Sequence, residues 1–492
     1  MSGETVVIDL DNTLIDYDEA LYTLALNRGY IASTCRAKKK PIQLEIYKRA
    51  SSEAVGDRRW LSLQHECYAG LASARIDECA LKTLEEILAL GYRPVIVSHK
   101  SAKSYFDGVT DLRRPALDFL GKKNIFSLVS PADICFAETL EEKVKLICKL
   151  KPIMVIDDHE RVIMHPKLAG QNRIHFAGLS RNDVFQATGW STLLSFFRIL
   201  RALDLGPFSI SRIESDSTNQ LLKLESDRKT VVLKTFPETE GGVRDAANEF
   251  NVSRMLNERG ICTPKYISFD QNIAVMDYIP RLKFTTSLVA YDTLFDALIR
   301  THDIRTGPRV NDDAESAAKY LKNLRARMDA MSLCEGLEIS IKGSLDFLEN
   351  QRSFQEGISA RFVFSDFSPD NFATTEGRSV FLDLEDVGLG DPRRFVCNLF
   401  LHPKSEMTHE QLQEALSIVN IEMTDILQVL PFAYLEWVLI IAKRDQIRAQ
   451  YLADQFRQCG GDSLRLYEAV AKNRELLTPA PAIYTHRERE QC

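Results

Sequence analysis

The chain has 492 residues, 45% of them hydrophobic and 27% charged, and a formal net charge of −7. That length exceeds what one hydrophobic core usually organises, so at least two domains are expected, and the acidic balance argues against nucleic acid or anionic lipid as partners. No apolar run reads as long enough to span a bilayer, and the first residues pass straight into a strand-like Thr5–Ile8, so a cytoplasmic, membrane-free protein with small-molecule substrates is expected.

The first predicted strand ends in acid groups, Asp9-Leu10-Asp11-Asn12-Thr13, and the pattern then turns helical around Tyr17–Arg28. A helix-like Leu81–Leu90 leads to a second strand, Pro94–Val97, which ends at Ser98. A third, Ile153–Ile156, ends at Asp157 and Asp158, with Lys143 in a helix-like stretch before it. Strands alternating with helical segments predict an α/β domain built on a doubly wound parallel sheet, with its ligand beyond the carboxyl ends of the strands. The amphipathic stretch between the first two strands predicts a small helical cap. The basic run of Arg36, Lys38, Lys39 and Lys40 reads as a solvated face and receives no role. His99 and His159 read as site-edge or helix-start residues rather than metal ligands, since no second His stands at a ligand spacing. Ten cysteines without a C-x-x-C pair encode neither a zinc clip nor a redox dithiol.

A strand-end acid, a strand-end Ser, a helix Lys and a strand-end acid pair, in that order, resemble the haloacid dehalogenase superfamily over roughly residues 1–195. The resemblance implies that Asp9 is a nucleophile forming an aspartyl-phosphate and that Asp11 is the general acid and base. It also implies that Ser98 and Lys143 hold phosphoryl oxygens, with Lys145 a rival to Lys143. Mg2+ would be held by Asp9 with Asp157 or Asp158, and Asp11 counts among the carboxylates around the metal. The chemistry suits these residue types, because a carboxylate attacks a phosphoryl group only when the charge on that group is neutralised. The implied substrate is a small-molecule phosphate ester.

After a helix from Thr192 to about Leu203, the breaker Leu205-Gly206-Pro207 sets the expected boundary between domains 1–204 and 205–478, with a tail at 479–492. Strand-like segments follow at Phe208–Ile213, Gln220–Leu224 and Thr230–Phe236, the last carrying Lys234. A helix around Arg244–Arg259 carries Glu249, and the apolar Ile273–Met276 runs into Asp277-Tyr278-Ile279. Beyond a helical stretch that includes Tyr291–Thr301, Arg361–Phe364 delivers Ser365-Asp366-Phe367-Ser368-Pro369-Asp370-Asn371, and Val380-Phe381-Leu382 ends at Asp383. A base, a metal-binding amide and a metal-binding carboxylate are the minimum for moving a γ-phosphoryl group.

This order resembles the aminoglycoside phosphotransferase and choline kinase family, with its two-lobed protein kinase-like (α+β) fold, over roughly residues 206–478. Asp383-Leu384-Glu385-Asp386 and Gly390-Asp391-Pro392 add to the likeness. By resemblance Asp366 is the catalytic base, Asn371 and Asp383 hold Mg2+, Lys234 and Glu249 orient the phosphates of ATP, and Met276–Ile279 meet the adenine. The chain departs from the family pattern twice. The phosphate loop reads Ser215-Asp216-Ser217-Thr218-Asn219 without glycine, and Phe364-Ser365 stand where His-Gly is usual. The expectation is a bifunctional enzyme, a Mg-dependent phosphatase joined to an ATP-dependent kinase for a small hydroxyl acceptor such as a sugar or polyol, acting at consecutive steps of one pathway. The rival expectation is a phosphatase controlled by a pseudokinase module.

Overall fold

The computed structural model describes residues 4–472 apart from 36–37, 72, 178–183, 214–218, 281, 285–286, 308–316, 351–358, 366, 368–370, 403–406 and 461. Thr5–Ile8 (β1) is apolar at successive positions because both its faces are covered. Val6 and Ile8 enter one core cluster and Val7 another, and Val155 and Ile156 divide in the same way. With Arg93–His99 (β2), Ile134–Ala137 (β3), Met154–Asp157 (β4), Asn172–Phe176 (β5) and Phe185–Ala187 (β6), it forms a six-stranded sheet in the order β3-β2-β1-β4-β5-β6. Every pairing is parallel. The strands β3 and β6 are additions to the four that the sequence patterning singles out, the fourth being the strand-like Arg173-Ile174-His175-Phe176 within β5. Chain order reverses between β1 and β4, the switch point where open sheets of this kind place their ligands.

Three helices fill the stretch between β1 and β2: Asp18–Asn27 (α1), Lys39–Lys48 (α2) and Glu53–Gly70 (α3), followed by Glu78–Ala89 (α4) under the sheet. Arg113–Lys122 (α5), Leu140–Leu150 (α6) and Glu160–Ile163 (α7) come next. Val144 and Ile147 of α6 pack with Val162 and Ile163 of α7 on the Val7 face, while Leu84 and Ile87 of α4 pack on the Ile8 face.

Trp190–Leu203 (α8) is apolar nearly all round, as a helix covered on several sides must be. It packs on α4 and also on a second sheet formed by Phe208–Ile213 (β7), Gln220–Ser226 (β8), Thr230–Thr235 (β9), Tyr266–Asp270 (β10) and Ile273–Asp277 (β11), in the order β10-β11-β9-β8-β7. The pairs β7–β8, β8–β9 and β9–β11 are antiparallel. Leu222, Leu224, Val231, Leu233, Ile273 and Val275 of this sheet belong to the same continuous core as Ile8 and Phe196. Polar clamps finish the join. Asn172 donates to the Phe208 carbonyl at 2.9 Å and accepts from the Ile210 N–H at 2.8 Å, and Gln220 bonds the backbone of both Val184 and Gln186. Met1–Ala246 with Ile267–Tyr278 therefore forms one compact unit, and Ala247–Tyr266 with Ile279–Cys492 a second.

The second unit contains Glu240–Glu258 (α9) from Ala247 onward, then Ser287–Thr301 (α10), Ala317–Asp329 (α11), Glu335–Asn350 (α12), Pro392–Leu401 (α13), His409–Val419 (α14), Met423–Ala442 (α15), Gln446–Gln458 (α16) and Ser463–Lys472 (α17). Short strands at Lys283–Phe284 (β12), Phe372–Thr375 (β14) and Arg378–Phe381 (β15) form one small sheet, and Arg361–Phe364 (β13) pairs with Val387–Gly390 (β16) in another. The Gly390-Asp391-Pro392 signature has a local cause: Asp391 caps α13 by accepting from the Arg393 N–H at 2.8 Å, and Pro392 occupies the first turn, where no amide donor is missed. Contrary to the reading of the sequence, α15 is long and apolar enough to cross a membrane by length and composition. Most of that window is buried inside the fold, and it carries the ion-paired Glu436.

The Asn172→Ala variant should lose about 2 kcal/mol of stability, because both a carbonyl and an amide of β7 lose their partner. A downward shift of the urea midpoint in full-length protein checks this, and an unchanged midpoint would refute the clamp.

Candidate active sites

The first site lies at the carboxyl edge of β1, β2 and β4. After β1 the chain makes a tight loop in which Asn12 N donates to Ile15 O, Ile15 N donates to Leu10 O, and Asn12 adopts a left-handed φ of 63° that asparagine tolerates better than most residues. This turn sets Asp9 and Asp11 side by side over the strand end. Lys143 sits in the first turn of α6, a helix capped by the Thr139 hydroxyl, and its ammonium reaches Asp9 Oδ1 at 2.5 Å and Asp157 Oδ2 at 2.6 Å. Lys145 is exposed, so it is Lys143 that reaches the carboxylates. Ser98 Oγ is 3.4 Å from Asp11 Oδ2. The ligand oxygens of Asp9, Asp157 and Asp158 lie within 4.8 Å of one another.

Several participants were not singled out by sequence. Lys100, only 2% exposed, grips Asp11 with both oxygens at 2.8 and 2.9 Å and lies 4.2 Å from the centroid of the Tyr68 ring. The Tyr17 hydroxyl donates to Asp11 Oδ1 at 2.8 Å, and burial, aided by the Asp11 charge, holds its proton firmly. Lys100 stands two residues past Ser98, so alternation along β2 was a usable signal. Tyr17 carried none. Lys39, from the basic run given no role, lines the cavity with His99 and His159.

Among the described residues, two ammonium groups contact three of these four carboxylates directly, Lys100 at Asp11 and Lys143 at Asp9 and Asp157. Burial pushes Asp9 up to about 7 against the opposing pull of Lys143, and burial with the charge of Asp9 pushes Asp158 to about 7. Asp157 moves upward for the same first reason. A divalent cation would remove the excess negative charge, and a set of hard carboxylate oxygens suits Mg2+. The residues therefore fit the metal. The cavity above them has a volume of about 220 Å³, and α2 and α3 supply part of its wall, which places the helices between β1 and β2 where the expected cap belongs.

The kinase-like residues divide between the units. Lys234, buried on β9 opposite Leu221 and Ala274, and Met276 on β11 lie in the first unit. Glu249, Ile279, Asn371 and Asp383 lie in the second. Asp366 and Ser215–Thr218 fall outside the described residues. Within the second unit, Asn248 latches α9 to the segment after β15: its amide donates to Glu385 O at 2.7 Å and Val387 O at 3.2 Å. That latch brings the Glu249, Asp383 and Glu385 carboxylates within 4.8 Å of one another, a second set of hard oxygens that fits Mg2+. Asp383 holds a left-handed φ of 56°, and the neighbouring Leu382 N donates to Asn371 O at 2.8 Å. Glu385 was not anticipated, nor the approach of Glu249 to Asp383. The hydroxyl of Tyr266 donates to Glu249. Trp437 is half-buried, packs against the core and lines a smaller cavity of about 150 Å³ with Ser365, Asp386, Arg394 and Glu436.

Residues 209–394 match the model of the phosphotransferase enzyme family, so a phosphotransferase-type domain occupies this part of the chain. Among solved structures, the chain is similar to choline kinase LicA from Streptococcus pneumoniae, with 16% identity over 57% of this chain and 97% of that one and a TM-score of 0.36. It is also similar to an ethanolamine kinase from Plasmodium vivax, with 12% identity over 58% and 91% and a TM-score of 0.39. A thermostable mutant of aminoglycoside phosphotransferase APH(4)-Ia gives 13% identity over 53% and 98%, with a TM-score of 0.39. No curated protein matches the chain.

Replacing Lys143 with Met should destabilise the first unit by about 3–5 kcal/mol in EDTA, since buried carboxylates lose their internal cation. Excess Mg2+ should recover part of the loss in a thermal melt. A variant insensitive to Mg2+ would count against a cation among Asp9, Asp157 and Asp158.

Proposed function

We propose that the chain is a phosphotransferase that moves the γ-phosphoryl group of ATP to a hydroxyl of a small molecule. The observation that carries this reading is the family match over residues 209–394 together with the clustered Glu249, Asp383 and Glu385. In this reading Asp366 takes the proton of the acceptor hydroxyl as its oxygen attacks phosphorus, and the bond to the ADP oxygen breaks. Asn371 and Asp383 would hold Mg2+, which neutralises phosphate charge when bound. Lys234 and Glu249 orient the nucleotide, and Met276 and Ile279 contact its base.

The geometry of the first site favours a second activity, a phosphomonoesterase of the haloacid dehalogenase type. Its support is Asp9, buried beside Asp157, Asp158 and Lys143 at a sheet switch point. Asp9 would attack phosphorus, the ester bond would break, and Asp11 would protonate the leaving oxygen. Asp11, with Lys100 and Tyr17 fixing its orientation, would then take a proton from the water that hydrolyses the aspartyl-phosphate. Ser98 and Lys143 steady the phosphoryl oxygens, and Mg2+ held by Asp9 and Asp157 or Asp158 would supply the remaining positive charge. Consecutive steps of one pathway, acting on different phosphates, are the arrangement that avoids futile ATP consumption.

Two measurements test these roles. Asp366→Ala and Asp383→Ala should each reduce phosphoryl transfer at least 100-fold, about the size of a general-base contribution, and only Asp383→Ala should weaken Mg-dependent ATP binding in calorimetry. Equal nucleotide affinity in the two variants would contradict the assignment. Asp9→Asn should abolish phosphate release from a generic ester while leaving ATP-dependent phosphorylation within about twofold of wild type, the range of ordinary surface-level perturbation. Retained hydrolysis would remove Asp9 as nucleophile.

A further inference from the structure

Between β2 and α5 the chain forms a compact hairpin over residues 102–112. Leu112 N bonds Ala102 O at 3.1 Å, Ser104 N bonds Thr110 O at 2.9 Å, and the Asp107 carboxylate accepts from the Val109 and Thr110 amides at the tip. Arg113 fixes the root by donating to Lys100 O at 3.0 Å. The hairpin is tied to cap helix α3, with His65 Nδ1 3.0 Å from Ser104 Oγ and the His65 ring 5.4 Å from that of Phe106. It is a built element that follows the second motif strand directly.

Its apolar side chains nevertheless point away from any core. Tyr105 is 72% exposed, Val109 69% and Phe106 41%, three large apolar groups within five residues. Isolated exposure of this kind is ordinary, but a cluster beside a cavity marks a surface that something covers. Tyr105 and Phe106 are also part of the lining of the cavity into which Asp9 and Asp11 open. At about 220 Å³ that cavity falls below the roughly 300–1,000 Å³ of common ligand pockets. A cavity of that size has room for the reacting end of an ester, and Tyr105 and Phe106 stand in its wall where a larger substrate would extend.

We propose that this hairpin is the leaving-group subsite of the first site, and that the site takes phosphomonoesters whose alcohol portion carries a heteroaromatic ring, as a nucleotide does, stacked on Tyr105 and Phe106. Aromatic faces select a flat ring, and the polar atoms of Gln64, His65 and Ser104 in the same wall match the heteroatoms and hydroxyls such an alcohol presents. A purely alkyl leaving group would make no polar contact with that wall. The inference rests on the phosphatase reading of the first site.

The test measures inorganic phosphate released by the full-length protein with Mg2+ from adenosine 5′-monophosphate, ribose 5-phosphate and glycerol 3-phosphate. The nucleotide should have kcat/KM about tenfold above ribose 5-phosphate, the size of one good aromatic stack. The Tyr105→Ala/Phe106→Ala double variant should bring the two esters to parity, chiefly through a higher KM for the nucleotide. Tyr105→Phe, which keeps the ring, should retain the preference. Both side chains face solvent, so an unchanged melting temperature certifies the fold of the variants. Equal kcat/KM for the two esters in the wild type overturns the inference alone. A preference that survives the double variant also overturns it, and leaves the tip as a surface for another protein. Phosphate release from none of the esters overturns the phosphatase reading itself, and the inference with it.

Discussion

Two buried ammonium groups grip three of the four carboxylates gathered at the carboxyl edge of the N-terminal sheet, Lys100 on Asp11 and Lys143 on Asp9 and Asp157, and the surrounding structure is arranged to make that concentration of charge tolerable. Like charges this close repel, and burial removes the water that would screen them. Lys143 comes from the first turn of α6, where the strand ends are in reach, and Lys100 follows directly after the last residue of β2. The central strands β1 and β4 are apolar up to their ends because both faces are covered. The acid groups after β1 and at the end of β4 therefore stand at the strand ends, which is where a phosphoryl group would be received.

The same economy governs the join between α8 and the second sheet. The helix Trp190–Leu203 is too apolar to sit against the first sheet alone, and β7–β11 supply the second covering. Trp190 also donates its indole N–H to the carbonyl of Thr13 at 2.8 Å, so the helix that supports the strand bearing Lys234 is fastened to the loop bearing Asp9 and Asp11. Compactness therefore does not follow the breaker Leu205-Gly206-Pro207. A Gly-Pro breaker can mark a change of local structure while the hydrophobic core, here including Leu205, runs through it.

What was legible in the sequence was what short-range pattern carries. Runs such as Val6-Val7-Ile8 and Met154-Val155-Ile156 announce strands, and an acid directly after such a run is conspicuous because it cannot be part of the core. Lys234 on β9, Glu249 on α9 and the carboxylate of Asp383 after β15 were placed on elements in the same way. Contacts between distant residues were not legible. Asn248 reaches the carbonyls of Glu385 and Val387 only after the chain has folded, and nothing in its neighbourhood forecasts the partners; the position of Lys100 two residues past Ser98 hinted at its side but not at Asp11 as its partner. The strands β3 and β6 were missed for a different reason: they are only four and three residues long.

The proposed pair of activities sets a constraint on their substrates that follows from energetics alone. If both sites acted on one ester bond, each cycle would convert ATP and water to ADP and phosphate with no net product. A polypeptide can hold such opposed steps only if one is silenced while the other runs, and silencing needs an element with two alternative packings. The join around α8, which lies inside the first unit, is filled by continuous apolar contact and fastened by Asn172, Gln220 and Trp190, and it offers no such element there. Two sites that run at the same time are productive only when they act on different phosphates.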